Sequence, residues 1–417
     1  MNPMRRSLGS PLLFAVVAAC GLCNCELNAE TQLPRVFVLD AAKLATEKQK
    51  VQSGDTNALA TLARLEREAK ELLAARATSV MDKTQTPPSG NRHDYMSMAP
   101  YFWPNPNSTN GLPYVRRDGE RNPEINRIPD HGNILAMPER VETLARAFYF
   151  TGNEQYAAKA AEFLRVWFLD PATRMNPHFR YAQAIRGVNT GRGIGLIESR
   201  GLIHVVDGVG LLAGSKSWTE SDDHALREWF EQFLEWMLTS DHGRDEAAAR
   251  NNHGTYYDIQ TASFAFYLGK LELATNILTE VKSKRITVQI EPDGREPLEL
   301  VRTRAWSYST ANLSGLMTLA RLGENVGLDL WNYQTVDGRS IGEALDYLTP
   351  FVFGDKKWPH QQLGGFNGSS LFPLIRRMAE KSADPKYKEL QERIPETNRR
   401  DRRQQEPVQS EENSHNE

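Results

Sequence analysis

The feature that most constrains the fold is a helical spacing of apolar residues along almost the whole chain. In residues 55–77, leucine and alanine recur every three or four positions from Leu59 to Leu73, so they share one helix face. The same spacing is found in segments 138–150, 153–169, 196–212, 219–238, 256–268, 271–281, 312–322, 341–352 and 371–381. Only 36–39 and 286–290 are rich in the β-branched residues typical of strands. The pattern predicts an all-α chain.

Two long segments between these helices, 84–137 and 170–195, are rich in proline, asparagine, glycine and aromatic residues. Loops of this length inside a compact domain are usually functional. Paired antiparallel helices with long connecting loops are typical of an (α/α) toroid, an incomplete barrel whose inner helices line a central cleft. We therefore expect a single toroid domain over residues 30–395, with the long loops covering its cleft.

The two termini differ from the body of the chain. Arg5 and Arg6 precede an apolar stretch, 12–19, that is too short to span a bilayer but has the size of a signal-peptide core. Residues 1–29 are therefore expected to be a signal peptide, and the protein is expected to be periplasmic or secreted. Cleavage before Cys20 would instead leave a lipid anchor. Residues 396–417 have almost no apolar side chains and are predicted to be a disordered tail.

Composition excludes several classes of protein. The net charge of the 417 residues is −3, which gives no support for nucleic acid as a partner. All three cysteines, Cys20, Cys23 and Cys25, lie in or just after the apolar stretch, so the mature chain has no disulfide framework. We predict no metal site and no cofactor, and no other stretch is apolar enough to span a membrane. The oligomeric state stays open.

The first segment with chemical potential is 250–258, at the start of a predicted helix. Asn252 could cap that helix. Alternatively, Asn252 and His253 share a helix face with Tyr256 and Tyr257 at spacings of three and four residues. Such a polar face is costly to bury without partners but suits the wall of a cleft.

The second segment, 299–308, combines Arg302, Arg304 and Tyr308. A solvated surface helix would explain it, but guanidinium groups also bind carboxylates through two parallel hydrogen bonds. Arg304 faces the same way as Tyr308 if the whole run is helical. Arg302 lies six residues before Tyr308, so the two meet only if the helix begins after Arg302.

The third segment, 93–104, is an aromatic, proline-rich loop. We expect Tyr101 and Trp103 to stack against sugar rings, and Tyr95 and Phe102 to wedge the loop onto the helices. The chain has no G-x-S-x-G, P-loop or H-E-x-x-H motif.

Together these segments make the chain resemble the alginate lyase superfamily of polysaccharide lyases. The matching pieces span roughly residues 84–375 in the same order and are 93–97, 101–104, 111–119, 181–183, 189–195, 251–253, 302–308 and 357–359. The resemblance implies an (α/α) toroid that cleaves a 1,4-linked uronic-acid polymer by β-elimination. It also implies an acidic polysaccharide as the partner.

The resemblance assigns the catalytic roles to Asn252, His253, Arg302 and Tyr308. Further substrate contacts are predicted for Tyr101, Trp103, Gln183, Arg192, His204, Tyr257, Arg304 and Trp358. Two departures, the Gly254-Thr255 that follows His253 and an Arg-to-Tyr spacing one residue shorter, indicate a sister branch with relatives that also act on glucuronan. Alginate is expected first and glucuronan next, and Arg304 remains an alternative to Arg302.

In the implied mechanism, Asn252 and Arg302 neutralise the C5 carboxylate, and Tyr308 protonates the departing O4. Tyr308 also serves as the base of a syn elimination, whereas His253 is either the base for the opposite C5 epimer or a group that polarises the carboxylate.

Two alternatives remain open. A glycoside hydrolase on a similar toroid would need two carboxylates, for which Asp94, Asp207 and Asp258 are available. The second alternative is a non-catalytic protein that binds glycans.

Overall fold

Helices make up most of residues 33–395, the part of the chain that the computed structural model describes. The first helices are α1 Ala41–Gln52, α2 Thr56–Leu73, α3 Asp130–Thr151, α4 Glu154–Leu164, α5 Leu202–Leu211, α6 Glu220–Thr239 and α7 Asp241–Ala247. The rest are α8 Asn252–Leu268, α9 Leu271–Val281, α10 Thr287–Gln289, α11 Pro297–Leu300, α12 Ala305–Glu324, α13 Ile341–Val352, α14 Phe372–Lys381 and α15 Lys386–Arg393. The all-α prediction is confirmed. The predicted signal peptide, the possible anchor at Cys20 and the predicted tail lie outside the described residues.

The helices begin and end where local chemistry favours it. Asp55 accepts a hydrogen bond from the backbone of Ala58 and caps α2. Gly152 and Gly269 end α3 and α8 in the left-handed conformation that glycine adopts without steric cost. Because only two residues then separate α3 from α4 and α8 from α9, each pair is a helical hairpin.

Four short strands lie in the two long connecting segments. They are β1 Met96–Met98, β2 Phe102–Trp103, β3 Val115–Arg116 and β4 Tyr181–Ala184. β1 pairs with β4 in parallel, and β2 pairs with β3 antiparallel. These pairings fix both loops, so the segments predicted as loops are held by backbone hydrogen bonds.

Both predicted strands are wrong. Residues 37–39 form a bend instead of a strand, and the backbone N–H groups of Phe37, Val38 and Leu39 donate to the carboxylate of Asp207 at 2.7–3.0 Å. Residues 286–290 are largely helical: α9 continues through a π-helical turn, Lys282–Ile286, into α10. Burial of Ile286 and Ile290 in the core outweighs the strand preference of β-branched side chains.

Several predicted helix boundaries also shift. α3 begins at Asp130, inside the segment predicted as a loop, and runs through Pro138, where the prediction placed its start. α8 and α12 begin four and seven residues earlier than predicted. Five helices were not predicted: α1, α7, α10, α11 and α15.

Two buried helices at the centre of the packing carry the site. Nearly every residue of α8 from Asn252 to Tyr267 is buried, as is most of α12 from Ser309 to Gly323. They pack directly together, and a Cβ at Gly315 would lie 2.8 Å from Cγ2 of Thr255. This close approach fixes the start of α8 against the middle of α12. No helix among the described residues is long and apolar enough to cross a membrane.

Candidate active site

Arg302 and Tyr308 meet at the start of α12. Since α12 begins at Ala305, Arg302 lies in the preceding turn and folds back onto the helix. Its Nη2 donates to the Tyr308 hydroxyl at 2.7 Å, and its guanidinium carbon lies 3.8 Å from the centre of the Tyr308 ring. The condition set by the sequence, a helix that begins after Arg302, is met.

The Tyr308 hydroxyl also donates to the hydroxyl of Tyr101 at 2.9 Å. Burial raises the pKa of Tyr308 well above its ordinary value, and Tyr101 adds to this effect, while the positive charge of Arg302 opposes it. Tyr308 is therefore protonated at neutral pH, with one hydrogen-bond donor and one acceptor already fixed around its oxygen.

Arg302 forms an ion pair with Asp118, which follows β3. Nε of Arg302 lies 3.2 and 3.1 Å from the two carboxylate oxygens, and Nη2 lies 2.8 Å from Oδ1. Burial alone would raise the pKa of Asp118, but hydrogen bonds from Arg302 and from the backbone of Thr303 outweigh it and hold that pKa well below its usual range. Asp118 is thus a permanent anion beside Arg302.

Asn252 is the first residue of α8 and is fixed by Glu299 of α11. Its amide nitrogen donates to both oxygens of Glu299 at 2.9 Å, and its backbone N–H donates to Oε1 at 2.7 Å. Asn251, not Asn252, occupies the cap position. Burial raises the pKa of Glu299, and the hydrogen bonds from Asn252, together with the nearby charge of Arg302, oppose that rise. Glu299 therefore joins the start of α8 to the turn that carries Arg302.

His253 is held by Glu246 of α7. Nδ1 of His253 lies 2.9 Å from Oε1 of Glu246, whose side chain is fully buried. Because a carboxylate only accepts, Nδ1 carries the proton and Nε2 is left as the acceptor of the neutral ring. The side chain of His253 is 16% exposed, so the ring is within reach of a ligand.

Gln183 and Arg192 form a second pair, held between the two long loops. Gln183 adopts a φ of 51°, and its backbone N–H donates to Oγ of Ser97 at 2.8 Å. Nη2 of Arg192 donates to Oε1 of Gln183 at 2.7 Å, and its guanidinium lies over the ring of Phe102. Burial lowers the pKa of Arg192 to about 10, with the nearby carboxylates opposing, so Arg192 remains charged.

Some predicted contact residues do not join this group. His204 pairs with Glu142 and lines a different cavity of about 750 Å³, which lies between α1, α2, α3 and α14. The hydroxyl of Tyr257 donates to the carbonyl of Met237 on α6, so this buried tyrosine completes a helix contact. The tyrosines of the predicted polar face on α8 therefore bond to backbone groups of neighbouring helices.

The remaining predicted contacts lie at the edge of the site. The Trp103 ring is partly exposed under Arg117, and its Nε1 donates to the carbonyl of Glu120. Nε of Arg304 lies 3.4 Å from the carbonyl of Leu363. Trp358 packs edge-on against Trp306, at 5.1 Å between ring centres. The Arg304 guanidinium thus contacts the Leu363 carbonyl, and Arg302 is the arginine whose guanidinium contacts Tyr308.

The carboxylates considered for hydrolysis all have structural partners. Asp94 accepts hydrogen bonds from Ser89 and Asn176, and Asp258 forms a buried ion pair with Arg285. Asp207 accepts the backbone N–H groups of residues 37–39. This arrangement offers no support for a two-carboxylate site built from these residues.

Sequence reasoning missed three acidic residues of the site: Asp118, Glu246 and Glu299. Spacing gave a signal for one of them, because Glu299 precedes Arg302 by three residues in the segment already singled out. Asp118 lies within a segment that carried the family resemblance. Glu246 had no signal, because α7 was not predicted.

Comparison with known proteins identifies the family. The Alginate lyase family model matches residues 79–358. A solved structure described as an alginate lyase from Bacteroides ovatus is 39% identical with a TM-score of 0.84, covering 87% of this chain and 96% of that one.

More distant structures share the fold. Alginate lyase A1-III from Sphingomonas species A1 is 14% identical with a TM-score of 0.53, covering 83% and 89% of the two chains. A histidine-to-alanine variant of A1-III in complex with a tetrasaccharide is 16% identical with a TM-score of 0.56, covering 87% and 91%. No protein among the curated sequences matches this chain. The predicted all-α toroid is confirmed, and the chain belongs to the alginate lyase family of polysaccharide lyases.

Proposed function

We propose that this polysaccharide lyase cleaves a 1,4-linked uronic-acid polymer by β-elimination, and that alginate is its main substrate. The 39% identical relative is described as an alginate lyase. The observation that carries the chemistry is the contact of the Tyr308 hydroxyl with Arg302 at 2.7 Å, beside the Asn252–Glu299 and His253–Glu246 pairs. A protonated phenol, a guanidinium and a neutral imidazole supply the acid, the positive charge and the base that the reaction needs.

The first requirement is to stabilise negative charge on the C5 carboxylate as the C5 proton leaves. In our proposal Arg302 supplies the positive charge and Asn252 a polar contact, with its amide already oriented by Glu299. Groups fixed before the substrate arrives need little rearrangement during the reaction, so they stabilise the enolate-like intermediate strongly. Arg192 provides a further positive charge on the side of Gln183.

The second requirement is a proton for the departing O4. Tyr308 retains its proton because burial raises its pKa, which suits it as the acid. In the free enzyme this proton is donated to Tyr101, so O4 of the substrate takes the place of the Tyr101 oxygen as the acceptor.

The third requirement is a base for the C5 proton. His253 with Nδ1–H held by Glu246 presents Nε2 as that base. For the opposite C5 epimer the base has to lie on the same face as the leaving O4. In that case Tyr308 first loses its phenolic proton to solvent, takes the C5 proton as the phenolate, and then passes that proton to O4. His253 is therefore needed as a base for only one of the two epimers. Comparing activity on polymannuronate and polyguluronate distinguishes His253 from Tyr308 as the base.

Export to the periplasm or the medium is also part of the proposal. Its support is the arginine pair at residues 5 and 6 followed by the apolar stretch 12–19. Mass spectrometry of the mature chain distinguishes cleavage after residue 29 from a lipid-modified Cys20. An uncleaved N-terminus in a secreting host would contradict export.

The decisive experiment incubates the purified protein separately with polymannuronate, polyguluronate, glucuronan and hyaluronan and follows ultraviolet absorbance. β-Elimination leaves an unsaturated uronate at the new non-reducing end, which absorbs, whereas hydrolysis leaves only saturated sugars. We expect the largest rise with one of the two alginate blocks. A rise with glucuronan alone would retain the chemistry and change the substrate. New reducing ends without absorbance would indicate a hydrolase.

A further inference from the structure

We propose that Asp118 is a positioning residue for the elimination, which holds the guanidinium of Arg302 against Tyr308 and offsets its charge, so that Tyr308 keeps its proton. The inference rests on the proposed function, because Tyr308 is there the acid. Asp118 binds the guanidinium and not the tyrosine hydroxyl, so it acts through Arg302.

The geometry of Arg302 is the first support. Asp118 occupies the guanidinium edge formed by Nε and Nη2, with contacts of 2.8–3.2 Å. Tyr308 takes the ring face at 3.8 Å and a second hydrogen bond from Nη2 at 2.7 Å. The side chains of Arg302 and Asp118 are only 14% and 18% exposed, so solvent screens this pair much less than a surface pair. Arg302 therefore has one defined orientation before substrate binds.

The second observation that supports the proposal is the set of contacts that hold Asp118 in place. Its Oδ2 accepts the backbone N–H of Thr303 at 3.2 Å, and its carbonyl accepts the Thr303 hydroxyl at 2.7 Å. The next residue, Gly119, has a φ of 75°, and a Cβ there would lie 2.4 Å from the Thr303 hydroxyl oxygen. A side chain would push the turn away, so glycine is required for Asp118 to approach Arg302 this closely.

The third observation that supports the proposal is the hairpin of β2 and β3. Tyr101 precedes β2 and Asp118 follows β3, and the two strands pair Phe102 with Arg116. One hairpin thus delivers both Tyr101 to the hydroxyl of Tyr308 and Asp118 to the arginine. When this hairpin packs against α12, Tyr101 contacts the hydroxyl of Tyr308 and Asp118 contacts Arg302.

Among residues 33–395, few titratable or charged groups face this acid. Tyr101 and Asp118 approach from the hairpin, with Arg116 beside Asp118. Arg302 and Glu299 approach from the turn before α12, and His253 faces Glu299 from α8. Arg302 favours the phenolate, and Asp118 opposes it. Loss of the Asp118 charge therefore shifts Tyr308 toward easier deprotonation.

The test compares Asp118→Asn and Asp118→Glu with Asp337→Asn, a control in an exposed Asp–Arg pair with Arg339. The pH dependence of kcat and KM is measured on the polymer that gives the absorbance rise. For Asp118→Asn we expect kcat to fall about 10- to 100-fold because Arg302 loses its fixed geometry. We also expect the alkaline limb to move to lower pH. Asp118→Glu should keep the alkaline limb of the wild type, and Asp337→Asn should match the wild type throughout.

Two results would overturn the proposal. One is an Asp118→Asn enzyme with the wild-type kcat. The other is a reduced kcat with the alkaline limb unmoved, which indicates a merely structural role. If Asp118→Asn does not fold, Thr303→Val, which removes the hydroxyl that donates to Asp118, should shift the limb in the same direction by less. An unshifted Thr303→Val enzyme of full activity would also contradict the proposal.

A readout without substrate separates this proposal from the proposed function. Alkaline ultraviolet titration detects tyrosinate, and we expect Asp118→Asn to show a phenol that ionises at lower pH than in the wild type. That phenol should be missing in Asp118→Asn/Tyr308→Phe. If the wild type shows no lyase activity but the phenol shifts, the proposed function fails, and only the effect of Asp118 on the Arg302–Tyr308 pair stands. If the wild type is active but the phenol does not shift, the proposed function stands and the role of Asp118 fails.

Discussion

The hydroxyl oxygen of Tyr308 lies 2.7 Å from Nη2 of Arg302, although a helix start separates the two residues. A continuous helix would place residues six apart on different faces. The turn before Ala305 therefore creates the pair, and the catalytic proposal depends on it.

Tyr308→Phe removes the proposed acid and should reduce kcat by about 10²- to 10⁴-fold, the usual range for loss of general acid–base catalysis. The ring and its packing remain, so the circular dichroism spectrum and the unfolding midpoint should change little. Tyr267→Phe is the control, because Tyr267 is also buried but contacts Asp223 at the other end of α8. Full activity of Tyr308→Phe would remove this residue from the mechanism.

Arg302→Lys and Arg304→Lys together decide which arginine binds the carboxylate. Lysine keeps the charge but loses the two-pronged geometry, so Arg302→Lys should lower kcat/KM about 10- to 100-fold, as expected for a lost charge-assisted hydrogen bond. Arg304 bonds to the Leu363 carbonyl, so its replacement should have a smaller effect. Steady-state kinetics on one polymer give both values, and the reverse order would reassign the role to Arg304.

Glu246→Gln tests whether His253 is the base. The neutral amide no longer stabilises the imidazolium that forms when His253 takes the C5 proton, so kcat should fall about 10- to 100-fold with little change in KM. The fall should be restricted to the epimer for which His253 is the base. The matched control is Glu228→Gln, in an exposed pair with His224. Equal losses on both epimers would indicate that Glu246 supports the whole site.

Asp207→Ala tests what holds the N-terminal segment. The backbone N–H groups of residues 37–39 lose their acceptor, and two of the three contacts are buried, so we expect the free energy of unfolding to fall by about 3 kcal/mol or more. Chemical denaturation measures the loss, and limited proteolysis should cut within residues 33–40. Asp241→Ala, at an exposed ion pair, should cost less than about 1 kcal/mol. Equal losses for the two variants would contradict this assignment.

Asp222 gives a pH dependence of stability. Hydrogen bonds from Arg165 lower the pKa of Asp222 to about 2 in the folded chain, below its value in the unfolded chain. The folded chain thus binds this proton less tightly, and the stabilisation is present above about pH 4 and is lost as the pH falls toward 2. Because Arg165 is 41% exposed, we expect about 1 kcal/mol. The stabilities of the wild type and Asp222→Asn, measured by denaturation, should differ at pH 5, and the difference should narrow as the pH falls to 2. A constant difference would contradict the assignment.

The helices were largely predictable because the spacing of apolar residues reports directly which face is buried. The spacing of apolar residues does not predict the local structure where a polar side chain bonds to the backbone. Residues 36–39 have the composition of a strand, but their N–H groups bond to a side chain 170 positions away. The predicted helix 138–150 begins at Pro138, whereas α3 begins at Asp130 and passes through this proline.

The proposed catalytic residues were predicted from family resemblance, whereas their supports were not. Arg302, Tyr308 and Tyr101 do come together. Asp118 reaches Arg302 through a tertiary contact over 184 positions, which a pattern along the chain does not report. Glu246 reaches His253 seven positions away across the break between α7 and α8, and α7 was not predicted. Tyr257 shows the converse, because its helix position indicated a cleft face and its hydroxyl bonds to α6.

The hairpin that carries Tyr101 and Asp118 has a kinetic consequence. Tyr101 is 207 positions from Tyr308 in sequence, and Asp118 is 184 positions from Arg302. Helices α8 and α12 form from local contacts, but closing loops of this length is slow and requires both halves of the chain. During refolding, helical signal should thus return before catalytic competence, and during synthesis the chain stays inert until α12 has emerged from the ribosome.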